Sequence, residues 1–359
     1  MPAHSTKIVF TFIAVAALAG CVSPAWYGQA MSGHMAMMHQ REDIDDLLRN
    51  PDTNPELAAR LQLAREARRF GIEQLSLPDT DSYTQYVPTG RSAATWNVVV
   101  APEFSVQPRK WCFPVAGCVP YRGYFREDSA DQFAARMSDR GYDTSVTPAV
   151  AYSTLGWFDD PLLDTMLNYS DAQLAATIFH EMAHQELYVR GDAAFSEGFA
   201  VFVEEKGLEA WLLDRGDIGA LEKWRDSHRA SARFSEFLAA ERERLVALYS
   251  RELPKAEMRS LKQEAFDSMA ARYRDIVNEE WNGRSFYSGW FEEKLNNARL
   301  ALAATYRGGS CAFRLLYAES GNDFAVFLQR AAEKAALPAA ERASWLVQNC
   351  AGIASTGDL

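Results

Sequence analysis

The sequence predicts an α+β fold, a small β-sheet region followed by a mainly helical one. Three observations lead there. Stretches rich in β-branched or alternating residues cluster between Thr95 and Tyr152. From Gly207 onward, apolar residues recur at helical spacing almost without interruption. Between the two regions lies a helical segment, Asp171 to about Gly191, that carries two histidines one turn apart. The chain has 359 residues, 48% hydrophobic and 24% charged, enough for one large core or two modest ones. Its net charge of −11 argues against nonspecific binding to nucleic acid or to an anionic membrane surface.

The opening segment stands outside the fold. Lys7 precedes a nearly pure apolar run, Ile8 to Ala19, too short to span a bilayer as a mature helix. The run ends in Leu18-Ala19-Gly20-Cys21, which resembles the lipobox of bacterial lipoproteins. That resemblance implies a signal peptide over 1–20 and a lipid on Cys21, anchoring the mature chain to a membrane. Val22 follows where an inner-membrane lipoprotein of this kind would carry aspartate, so the resemblance points to the outer membrane, facing the periplasm. Export permits disulfides. Cys112, Cys118, Cys311 and Cys350 allow three pairings, of which 112 with 118 and 311 with 350 is the more local.

Residues 21–94 read as a tether followed by two helices, broken by Pro51 and Pro55. Residues 95–206 form the sheet region with the two helices of the site. Strands are expected at Thr95 to Glu103, Cys118 to Phe125 and Tyr142 to Tyr152, the last an edge strand because it contains Pro148. "DSADQFAARMSDRGY" between the last two is a helix ending near Gly141. Residues 207–359 are helical, with Pro254 separating two long charged helices.

The histidine helix carries the chemistry. Ser170 and Gln173 form a capping box that starts it near Asp171. In "FHEMAHQELY", His180 and His184 share one face, so both imidazoles can reach one Zn²⁺ at roughly 2.0–2.1 Å. Glu181 lies beside His180 without being forced into coordination, which is where a general base belongs. A hydrolytic zinc site takes three protein ligands and keeps one position open. Three carboxylates compete for the third place: Asp192, Glu197 and Glu204. Asp192 is more simply an N-cap, and Glu204 a supporting or solvated charge. Glu197 sits among Phe195, Phe199 and Ala200, where an unpaired carboxylate would be costly, and is the favoured ligand.

The stretch "FHEMAHQELYVRGDAAFSEGFAVFVEEKG" resembles the "putative aminopeptidase" family of bacterial lipoproteins, a gluzincin-like branch of the zinc metallopeptidases. "WYGQAMSGHMAMMHQRE", "WCFPVAGCVPYRGYF" and "YSTLGWFDDPLLDTML" resemble it too, so the likeness covers most of the mature chain. It implies a zincin-like fold, a single zinc held by His180, His184 and Glu197, and Glu181 as base. Ser196 stands where gluzincins usually carry asparagine. Val201 stands where they often carry the carboxylate that orients the first histidine, so that partner must come from elsewhere.

The reaction these residues suggest is hydrolysis of a peptide bond. Tyr188, one turn past His184, is a candidate for the oxyanion, with His228 and Tyr152 as others. Asp159 and Asp160 are candidates for gripping a substrate's terminal ammonium, although an aspartate before Pro161 also suits a plain turn. Gluzincins commonly pair an extended peptide with an edge strand, here the one ending at Tyr152. The alternative is a catalytically silent lipoprotein that keeps the fold as a binding module. An intact Glu181 speaks against it.

Overall fold

The computed structural model describes residues 24–113, 117–151, 159–305 and 309–351. The expected signal peptide, Cys21 and Tyr152 lie outside them, as does the side chain of Cys350. The chain is α+β and mostly helical, as its periodicity predicts.

Helix α1 (Pro24–Met38) replaces the expected tether. It carries no acid in its first turn and no base in its last, so nothing in its charge pattern announces a helix. Helices α2 (Ile44–Arg49) and α3 (Pro55–Leu75) fall where the prolines place them. The Asn54 side chain caps α3 by accepting from the N–H groups of Glu56 and Leu57.

The main sheet has the order β6-β3-β7, from β3 (Thr95–Pro102), β6 (Tyr121–Tyr124) and β7 (Tyr142–Ala149), antiparallel throughout. Alternation along β3 decides its two contacts. Trp96, Val98 and Val100 face helix α4 (Glu127–Ser138) and its Phe133. Val99 and Ala101 face Ala298 and Ala301 of a later helix (Asn297–Thr305). Strand β7 is the outer strand that Pro148 forecasts. The expected run from Cys118 to Phe125 is divided at Pro120. Its first part, β5 (Gly117–Val119), pairs with β4 (Trp111–Phe113) in a hairpin, where Cys112 faces Cys118 and is bridged to it. Cys311 is disulfide-bonded as well.

A second sheet was not legible in the pattern, because its strands are too short to show alternation. Strand β2 (Gln85–Val87) pairs antiparallel with β1 (Glu42–Asp43) and parallel with β8 (Leu162–Leu163). After β8 and the single turn α5 (Asp164–Leu167) comes α6 (Asp171–Glu186), the histidine helix, then α7 (Ala193–Asp214). Long helices α8 (Ile218–Tyr249) and α9 (Lys255–Glu279) follow, with the short α10 (Ser288–Glu292), and the Asn297–Thr305 helix is α11. Helices α12 (Ser310–Glu319), α13 (Phe324–Ala335) and α14 (Ala339–Ala351) end the described chain.

The ligand-bearing helices sit in the main core. Phe179 of α6 and Phe195, Phe199 and Phe202 of α7 are fully buried with Phe313, Phe327, Leu61 and Leu75. The Phe199 and Phe327 rings stack at 5.8 Å. At Gly207 the helices approach too closely for a side chain: a Cβ there would stand 2.6 Å from Leu75 Cδ1 and 3.1 Å from Phe179 Cδ2. Side chains locked this way on rigid helices hold a site to small tolerances. Helices α8 and α9 build a separate aromatic cluster around Phe234, Phe237 and Tyr273.

Candidate metal centre

Helix α6 begins as its capping box requires, with Ser170 accepting from Gln173 N and the Gln173 side chain returning to Ser170 N. It stops at Glu186, short of the expected Gly191, because Leu187 is already extended at φ −146°. The six residues from Leu187 to Asp192 make the turn into α7. Gly191 takes φ +80°, a left-handed value that suits glycine. Ser196 binds this turn to α7: its hydroxyl accepts from Val189 N at 3.0 Å and donates to Asp192 O at 3.0 Å. Asp192 caps α7, accepting from Phe195 N at 3.1 Å, and its other oxygen receives Arg342 Nε of α14 at 2.7 Å.

The hairpin brings Glu197 over the histidine pair. Glu197 Oε2 lies 3.6 Å from His180 Nε2, and Oε1 lies 3.7 Å from His184 Nε2. The two rings stand 4.9 Å apart at 84°. His180, His184 and Glu197 form the one group of metal-ligating side chains found close together among the described residues. These separations exceed a hydrogen bond. They approach the spacing of about 3.4 Å that two ligands with arms of about 2.0–2.1 Å keep around a tetrahedral ion. Glu197 Oε2 is buried with no hydrogen-bond partner, which a cation would satisfy. The donor set of two imidazoles and one carboxylate therefore fits zinc. The His184 side chain is 5% exposed, whereas His180 and Glu197 keep 18% and 19%, so the centre has a closed floor and an open side.

The missing orienting carboxylate is Glu204. Its Oε2 lies 2.9 Å from His180 Nδ1, leaving Nε2 turned toward Glu197. It stands two turns beyond Glu197 rather than at Val201, and lies outside the group of three that could hold an ion. The charges reinforce one another. Burial alone would lower the His180 imidazole, but the carboxylates of Glu197 and Glu204 push it well above its usual range. Burial, helped by the charge of His180, holds His184 down at about 4, the neutral form that coordinates metal. For Glu197, burial is outweighed by the two histidines, and its carboxyl is lowered. Burial raises Glu181 to about 7; His180 opposes, while Asp160, Glu197 and Glu204 add to the rise.

Of the outlying candidates, Tyr188 is no longer on the helix, yet its ring stays 5.9 Å from that of His184. Its phenol is raised first by burial and then by Glu197. The aspartate pair divides. Asp159 is exposed and gives its carbonyl to Arg41 Nη2 at 2.6 Å. Asp160 is 1% exposed, and its charge reaches Glu181. His228 stacks on Trp224 at 5.2 Å and approaches Glu205 at 3.4 Å, an ion-pair cluster that Arg314 completes. Tyr83 escapes sequence reasoning altogether. It is buried at a left-handed φ of 62°, and its N–H donates to Asp160 O at 2.8 Å. Its phenol is raised well above the usual range by burial, then by Glu181 and Asp160.

A family model described as "Putative aminopeptidase" matches residues 25–346. No curated protein and no solved structure matches the chain.

Proposed function

The chain belongs to that aminopeptidase family, and from this premise we propose that it is a zinc-dependent metallopeptidase of gluzincin type with a zincin-like fold, removing amino-terminal residues from peptides. The observation that carries the reading is the convergence of His180, His184 and Glu197, with Glu204 behind His180 and Glu181 beside it. Zinc held by these three would supply Lewis acidity, polarising a peptide carbonyl and acidifying water. Glu181, raised to about 7 by burial, takes the proton from the attacking water and returns it to the leaving amine. Glu204 fixes the ring of His180. Tyr188, beside His184, donates toward the developing oxyanion. Asp160 supplies the buried negative charge for the substrate's α-ammonium, and Asp159 has no part in it.

The outer strand β7 supports the same reading. A groove of about 780 Å³ runs along it, lined by Trp96, Tyr142, Val146, Lys294 and Arg299. By this proposal an extended peptide pairs with the outer strand along that groove. By the same proposal Cys21 carries lipid, and the enzyme faces the periplasm from the outer membrane.

The test is turnover of matched peptides, free and blocked at the amino terminus, with chelator and with zinc restored. Free peptides are cleaved, chelator stops cleavage, and zinc restores it. Glu181→Gln binds zinc as wild type does and loses about 10²- to 10⁴-fold in kcat. Turnover indifferent to chelator, or undiminished in Glu181→Gln, refutes the mechanism. Cleavage of blocked peptides alone removes the exopeptidase assignment. Zinc binding with no turnover of any peptide leaves the silent binding module.

A further inference from the structure

Helix α1 has two faces. One docks onto the main sheet. Trp26 Nε1 donates to Gly123 O at 2.8 Å, and its ring lies 4.7 Å from Phe113. Gln29 Oε1 accepts from Phe125 N at 3.1 Å. The Phe125 ring presses against Gly33, and Met37 is 3% exposed. The other face carries Tyr27, Met31 and Met35, one above the other at i, i+4 and i+8, exposed by 38%, 69% and 49%. Of the nine exposed large apolar side chains among the described residues, three stand on this one short face.

The sequence of α1, "PAWYGQAMSGHMAMM", contains no lysine, arginine, aspartate or glutamate. Immersing that face strands no charge in a poorly hydrated layer. Its 15 residues span about 22 Å, less than the about 30 Å of a hydrocarbon core, so it cannot cross a bilayer. The net charge of −11 works against electrostatic attraction to anionic lipid, so apolar contact is the adhesive force considered for this face. The preceding chain identifies the occupant. The apolar run Ile8 to Ala19 and Cys21 come just before α1, with only Val22 and Ser23 between Cys21 and Pro24. Two extended residues reach about 7 Å, so a lipid on Cys21 holds the helix at headgroup depth.

We infer that the Tyr27–Met31–Met35 face of α1 rests in the interfacial layer of a phospholipid bilayer, so that the body is held in a fixed orientation rather than swinging on a tether. The inference rests on the lipid tether and is independent of the peptidase reading.

The test uses the full-length protein, lipidated in cells, purified, and reconstituted into vesicles of phosphatidylethanolamine and phosphatidylglycerol. An environment-sensitive fluorophore is placed on Met31→Cys in one sample and on Ile218→Cys in another; both positions are exposed, by 69% and 52%. Doxyl-labelled lipid quenches the probe at 31 at least about twofold and leaves the probe at 218 unchanged. Equal, water-like emission at both positions on vesicles overturns the resting face. A probe at 31 that is shielded to the same degree in detergent, with the protein dimeric in sedimentation, overturns it in favour of a second copy. Protein recovered without lipid and free of the vesicles overturns the tether, and the resting face with it.

Discussion

Replacing Glu204 tests the centre from its supporting side. The carboxylate makes a charge-assisted bond of 2.9 Å to His180 Nδ1, which fixes the ring and strengthens Nε2 as a donor. Loss of such a partner costs about 10- to 100-fold in metal affinity. That corresponds to about 1.4–2.8 kcal/mol. The Glu204 side chain is 36% exposed, so water screens part of its charge and the lower half of the range applies. Glu204→Ala is therefore expected to weaken zinc binding about 10- to 30-fold. Glu204→Gln keeps an acceptor for the ring N–H, loses only charge, and falls between it and wild type. The assay is zinc titration against a chromophoric chelator, with circular dichroism to show that both variants fold. A Glu204→Ala protein within twofold of wild type would show that His180 needs no partner and that the short contact is incidental.

Substitutions at three further positions probe how the centre is held. Ser196→Ala removes the hydroxyl that receives Val189 N–H and should cost about 1–3 kcal/mol in urea unfolding, with zinc affinity falling alongside. An unchanged midpoint would mean that the turn does not need it. Gly207→Ala puts a methyl 2.6 Å from Leu75 Cδ1 and should destabilise by about 1–3 kcal/mol, read from the denaturation midpoint. Arg342→Ala strips the half-buried carboxylate of Asp192 of its partner and should cost about 1.5–3 kcal/mol in the same experiment. Arg342→Lys, which keeps the charge and loses the fork, should recover only part of it.

How far the site can be read in the sequence follows chain distance. His180, Glu181 and His184 occupy one helix opened by its own capping box, so local rules place them. Glu197 lies one turn-and-helix further on, and its apolar neighbours Phe195 and Phe199 mark the wall on which it stands. Glu204 is locally indistinguishable from Glu205. Only the packing of α7 against α6 on one side and against α8 and α12 on another decides that the first meets His180 and the second meets His228 and Arg314. Tyr83 and Asp160 are joined by a backbone hydrogen bond across 77 positions, beyond any window of periodicity. The early end of α6 turns on Leu187, a residue with good helix propensity that is held extended by the route to Ser196. Helix α1 was illegible for the opposite reason: it holds no lysine, arginine, aspartate or glutamate, so its sequence lacks the charge pattern that marks helix ends.

The contact between Arg342 and Asp192 ties the centre to the order of synthesis. Residues 180 to 204 leave the ribosome, and later enter the periplasm if the chain is exported, well ahead of the closing helix. Until that helix arrives, the lid of the Glu197 helix lacks its latch, and Phe195 lacks the ring of Trp345 that lies 6.2 Å away in the finished molecule. A nascent or clipped chain thus carries all the reactive groups without the frame that aims them. The aim of the Glu197 helix is thus completed only when α14 docks, and removing α14 would disturb that aim before it touched the groups themselves.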